Sequence, residues 1–124
     1  MSTPRVGTPI WIDLGTTDFA ASQAFYTDLF GWKYQGTGAD FAHYNIVHQP
    51  DGELLGGAMD ISGMHGPDGK PLPSSWDVFL AVDDISARFE KALDCGAQTV
   101  LEPHQVGDQG HFALLTDPTG ARVG

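Results

Sequence analysis

Trp11 and Asp13 stand two residues apart in WIDLGTTD, and Asp77 and Phe79 stand two apart in WDVFLAV. Side chains alternate along a strand, so each pair shares one face while Ile12 with Leu14, or Val78 with Leu80, share the other. An indole gives a planar ligand a broad contact surface at low entropic cost. A carboxylate beside it anchors polar groups or, where an apolar wall raises its pKa, acts as a general base. The pattern therefore serves two chemistries: holding an aromatic or apolar small molecule, or taking a proton from one. The plainer alternative is a rim of space-filling aromatics and solvated carboxylates.

The five histidines add little metal chemistry. His43 and His48 are an odd number apart on one strand and face opposite sides. His65 falls in a loop, and His104 and His111 flank the turn QVGDQG. None of these pairs has the short helical or strand spacing that metal ligands use. His43, His104 and His111 are instead candidate ligand contacts, as are Tyr44, Met59 and Met64, with core filling the plainer role for Met59. Cys95, at the end of a helix, reads as a packed thiol. Phosphate loops, paired cysteines, nucleophile elbows and dinucleotide fingerprints are absent from the sequence. No catalytic residue, metal or cofactor is assigned.

Composition narrows the partners. With 6 Lys+Arg against 16 Asp+Glu, the formal charge is −10, which repels polyanions and argues against nucleic acid and anionic membrane. One cysteine permits no internal disulfide and suits a reducing, cytoplasmic setting. MSTPRVGTP lacks the apolar segment of a signal peptide, and no apolar run nears the roughly 20 residues of a membrane span.

The elements that position these residues repeat. A strand at residues 11–15 leads to Asp18, a helix cap, and a helix whose apolar stripe runs through Ala21, Phe25 and Leu29 beside Tyr26 and Phe30. Gly31 stops that helix. WKYQG, FAHYNIVH and ELLGGAMDI follow as strands, the last two joined by the turn QPDG. Residues 62–75, rich in Gly, Pro and Ser, read as a linker or loop. The pattern then restarts: WDVFLAV, a helix capped by Asp84 with Ile85, Phe89, Ala92 and Leu93 on one stripe, and strands TVLEP, HFALLTD and ARVG. Both halves read β-α-β-β-β, giving 124 residues of α+β class in one domain, with module one at about 8–61 and module two at 76–124. One helix covers one face of each small sheet, and two such modules can pair their bare faces into a shared concave trough. Trp11 and Asp13, with Asp77 and Phe79, would line it, while Ile12, Leu14, Val78 and Leu80 would pack under the helices.

WIDLGTTDFAASQAFYTDLFGW, LAVDDISARFEKALDCGA and HFALLTDPTGARVG resemble the vicinal oxygen chelate superfamily, which includes glyoxalase I, extradiol dioxygenases and bleomycin-resistance proteins. The chain is most similar to an actinobacterial glyoxalase-like branch, often built of two such domains in tandem. The resemblance implies a half-barrel of two βαβββ modules with the helices outside. It also implies, for the enzymes of the superfamily, a divalent metal held by His, Gln or Glu from the first and fourth strands of each module. Those positions fall here on Trp11, on Gly57 to Met59, on Asp77 and on Gly124. Only Asp77 among Trp11, Asp77 and the glycines carries a metal-binding lone pair, and one carboxylate does not hold a catalytic ion. The expectation is a metal-free binder of an aromatic or apolar metabolite or antibiotic, contacted by Trp11, Asp13, Tyr44, Asp77, Phe79, His104 and His111. An enzyme with Asp13 or Asp77 as base is the alternative, and an interaction module without a ligand is a third. Single-domain members of the superfamily are commonly dimers, sometimes exchanging modules, so the resemblance implies a homodimer.

Overall fold

Single residues set where the helices begin and end. The computed structural model describes residues 3–38, 44–106 and 110–124, so the expected contact His43 lies outside the described residues. Strand β1 covers Pro9–Thr16 and helix α1 covers Phe19–Phe30. The Asp18 carboxylate accepts the Ala21 N–H at 3.1 Å, which satisfies one of the donors a helix start leaves unpaired. Gly31 then closes α1 at φ 74°, a left-handed conformation that a Cβ disfavours. Helix α2, Ile85–Asp94, repeats the device, with Asp84 accepting the Ala87 N–H at 3.1 Å.

The chain divides into two compact units, one of Trp11–Trp76 and one of Met1–Ile10 with Asp77–Gly124. In the Trp11–Trp76 unit, β2 (Lys33–Gly36), β3 (Asn45–His48) and β4 (Leu54–Asp60) join β1 in the order β2-β3-β4-β1. Strand β3 is antiparallel to both neighbours, whereas β1 runs parallel to β4 with Asp13 beside Gly57. Leu14, Val47 and Ala58 form the buried centre, and Phe19, Tyr26, Trp32, Tyr34 and Leu55 pack on it.

Leu14 therefore lies on the buried side, as its alternation with Asp13 requires, but α1 turns a different face inward than its apolar stripe suggests. Phe19, Ser22 and Tyr26, spaced by three and four residues, are half-buried, while Phe25, Leu29 and Phe30 are 58%, 55% and 52% exposed. Two contacts fix that rotation. The Thr16 and Ser22 hydroxyls meet at 2.7 Å, and Tyr26 stacks on Trp32 with ring centroids 5.2 Å apart. Trp76 then sets its edge against both rings and donates its indole N–H to the Tyr26 hydroxyl at 3.0 Å. Residues 62–74 form a loop, as one of the two expectations for this segment had it, and its turns are held by backbone hydrogen bonds. Gly66 N–H bonds the Lys70 carbonyl at 2.9 Å, Leu72 N–H bonds that of Met64 at 3.0 Å, and His65 bridges Pro71.

In the unit that holds Asp77–Gly124, strand β5 (Ser75–Leu80) enters from its third residue, followed by α2, β6 (Gln98–Val106), β7 (Gly110–Thr116) and β8 (Arg122–Val123). Strand β7 is antiparallel to β6 and to β8. Asp117 turns the chain between β7 and β8, accepting from the Thr119 hydroxyl and from the Thr119 and Ala121 N–H groups. Those bonds, the side-chain bond from Thr119 foremost, hold its carboxyl below the usual range. The turn delivers Gly124 to β5, where it donates to the Val78 carbonyl and accepts from the Leu80 N–H, each at 2.9 Å. Bonds to the two residues flanking Phe79 are the parallel-ladder pattern. Phe79, Ala81 and Phe89 are buried, whereas Val78 and Leu80 are 40% and 37% exposed. The expectation for β5 is thus reversed: the face with Phe79 is covered and the face with Val78 is open. Strand β6 also runs past Pro103, where the sequence suggested an end. Proline cannot donate to a ladder, and the register slips between Leu101 and His104 so that pairing resumes beyond it.

Each module of this α+β chain thus shows the βαβββ order expected. No described helix is long and apolar enough to cross a membrane.

Candidate functional site

Trp11, Asp13 and Tyr44 come together in the Trp11–Trp76 unit. Trp11 and Asp13 share a face of β1, and Tyr44 stands immediately before β3, its carbonyl held by the Thr37 N–H at 3.0 Å. The Trp11 indole N–H donates to Asp13 Oδ1 at 2.8 Å and reaches the Tyr44 hydroxyl at 3.1 Å. The Tyr44 hydroxyl donates to the same Asp13 oxygen. Burial foremost, then the hydrogen bond to Asp13 and its charge, push the Tyr44 phenol well above its ordinary pKa, against a smaller opposing effect of the Trp11 bond. Tyr44 therefore stays a protonated donor at physiological pH, and the carboxylate gains two charge-assisted hydrogen bonds. Chemically this is an anchored acceptor flanked by an indole and a phenol, all three half-buried.

Tyr44 reaches Asp13 because residue 57 has no side chain. Gly57 is buried beside Asp13, and a Cβ built on it would overlap the Tyr44 hydroxyl and the ring carbon that bears it. The neighbouring Gly56 is also tightly enclosed: a Cβ there would overlap the Ile12 backbone carbonyl.

In the Asp77–Gly124 unit the expected residues divide. Asp77, its side chain 12% exposed, pairs with Arg122, Nε to Oδ1 at 3.1 Å. Phe79 sets its ring against the Gly124 backbone and meets the edge of Phe112 at a centroid distance of 5.9 Å. His104 lies opposite Phe112 across β6 and β7, its ring 4.1 Å away by centroids, with Nδ1 3.2 Å from the Glu102 carbonyl. Phe79, Phe112 and His104 thus form one aromatic row. His111 pairs with Gln105, one register step away, which turns it to the opposite face from Phe112. It stands apart from the row and is exposed.

The residues at the metal-ligand positions do not fit a divalent ion. Trp11, Gly57, Ala58 and Gly124 offer no ligating side chain, Met59 offers only a weak thioether, the space at 57 and at 124 holds aromatic atoms, and Asp77 is engaged by Arg122. Among the described residues, no group of three or more His, Cys, Asp or Glu is placed to hold a metal ion. Two residues of the site were missed by sequence reasoning. Phe112 was signalled by its alternation with His111 in HFALLTD, and Arg122 by standing two residues before Gly124.

The fold has a counterpart among solved structures, and the sequence shows the family. A member of the glyoxalase/bleomycin resistance protein/dioxygenase superfamily from Vibrio splendidus matches with a TM-score of 0.56 and 17% identity, over 91% of this chain and 92% of that one. The sequence from residue 10 to residue 123 matches the glyoxalase-like domain family, and the chain belongs to that family. CFP32 of Mycobacterium tuberculosis, which bears the provisional name of a glyoxylase, is 37% identical over 97% of this chain. DnrV of Streptomyces peucetius, an anthracycline biosynthesis protein by name, is 32% identical over 93% of it. The chain spans 45% of the length of each of these two relatives.

Proposed function

We propose that this glyoxalase-like chain binds an aromatic or otherwise apolar small molecule, without a metal ion or cofactor. The arrangement of Trp11, Asp13 and Tyr44 carries the reading. The indole and phenol supply rigid contact area, and their hydrogen bonds to Asp13 fix both rings before a ligand arrives, which lowers the ordering cost of binding. His104 and the half-buried Phe112 offer a second aromatic surface backed by the buried Phe79, and Asp77 contributes through its pair with Arg122. The relative named for anthracycline biosynthesis supports a ligand of that kind, because anthracyclines are large, planar and aromatic. Titration with an anthracycline, followed by quenching of tryptophan emission, is expected to saturate at micromolar concentration. A flat titration up to millimolar ligand would remove the binding role.

A glyoxalase-type enzyme is the second reading, favoured by the name of CFP32. Conversion of a glutathione–methylglyoxal adduct by the purified chain would put it first. A homodimer rests on the family alone, in which dimers are common, and light scattering measures it.

A further inference from the structure

Gly57 and Gly124 stand at matching places, each beside the first strand of its own unit. Gly57 lies next to Asp13 across β4 and β1, and Gly124 bonds the residues on either side of Phe79 in β5. In both, an aromatic side chain from elsewhere occupies the volume that a Cβ would need: the Tyr44 hydroxyl at residue 57, the Phe79 ring at residue 124. Glycine weakens strand pairing relative to alanine, so its presence in or against a strand needs a reason. Backbone conformation is not that reason, since neither residue is among the glycines with positive φ. Close approach is.

We propose that Gly57 and Gly124 are specificity-determining residues that close both corners to a divalent ion and give them to aromatic side chains. A metal ligand at either of these two places, one in β4 and one just after β8, requires a side chain at 57 or 124. Any such side chain displaces Tyr44 from Asp13, or Phe79 from its seat on the strand. The same absence of a Cβ lets Tyr44 donate to Asp13, so excluding the ion and building the organic anchor are one structural act. This bears on the metal-free part of the function proposed above and not on which ligand binds, and its test contains no ligand.

The indole N–H groups of Trp11, Trp32 and Trp76 give separate signals in the nitrogen-15 NMR spectrum of the labelled protein. Gly57→Ala is expected to shift the Trp11 signal and to speed its exchange with solvent by about tenfold or more, because the Tyr44 hydroxyl is pushed away. Trp76, bonded to Tyr26, stays in place and reports that the unit remains folded. An unmoved Trp11 signal in the folded variant overturns the proposal. If Gly57→Ala does not fold, Tyr44→Phe, which removes only the hydroxyl, decides by the same signal. One equivalent of Mn²⁺ added to the unaltered protein is expected to leave the three indole signals equally sharp. Selective broadening of Trp11 overturns the proposal as well.

Discussion

Trp11→Ala is expected to weaken binding of a planar aromatic ligand by about 10- to 100-fold, or roughly 1–3 kcal/mol. The indole is only half-buried in the free protein, so its truncation opens no cavity in the buried centre of Leu14, Val47 and Ala58. Melting temperature should therefore move little, and the effect is one of affinity. Asp13 keeps its bond from Tyr44 in the variant, which leaves the carboxylate partnered. Trp11→Phe separates the two contributions of the indole. It keeps an aromatic face and loses the N–H that bonds Asp13 and Tyr44, so its loss of affinity should fall between those of the native protein and the alanine variant. Isothermal titration calorimetry on the three proteins measures this. Equal affinity in all three would remove Trp11 from the ligand surface.

Gly56→Ala is expected to destabilise the fold by about 3 kcal/mol, near the top of the range for overpacking. The added methyl meets the Ile12 carbonyl, which is backbone of the adjoining parallel strand and cannot rotate away as a side chain would. Strands β1 and β4 must part for the methyl to fit, and that pairing carries Asp13 and Gly57. A fall of roughly 10 °C in thermal midpoint corresponds to that energy in a domain of this size. Gly52→Ala is the internal comparison. Gly52 sits at φ 94° in the open turn between β3 and β4 with nothing within 4 Å of a Cβ, so only the left-handed backbone is penalised, by about 1–2 kcal/mol. Calorimetric melts of the two variants measure the contrast, and a smaller loss for Gly56→Ala than for Gly52→Ala would contradict the packing described for β1 and β4.

The helices were legible in the sequence because their signals are local. Asp18 and Asp84 each cap the N–H three residues on, and Gly31 supplies the left-handed residue that ends α1. Strand alternation likewise placed Trp11 with Asp13 on one face and Leu14 on the buried one. What the sequence did not convey depends on distant partners. The rotation of α1 is set by Trp32 and Trp76, and Trp76 is 50 residues from the Tyr26 it bonds. The covered face of β5 is set by Gly124, which an apolar alternation of Val78 and Leu80 cannot foretell. Tyr44 was a candidate by type, but its place on Asp13, 31 residues away, requires the missing Cβ of Gly57. Pro103 is the converse case. Its local meaning is a strand end, and the register slip that lets β6 continue is a property of the pairing with β7.

The most direct measurement is native mass spectrometry of the chain, purified without chelator and then mixed with an anthracycline. The expected spectrum shows the bare polypeptide mass first and one organic ligand per chain after mixing, with Trp11, Asp13 and Tyr44 required for that adduct. A species carrying one zinc, nickel, manganese or iron ion per chain, with ligand lost when the ion is stripped, would contradict it.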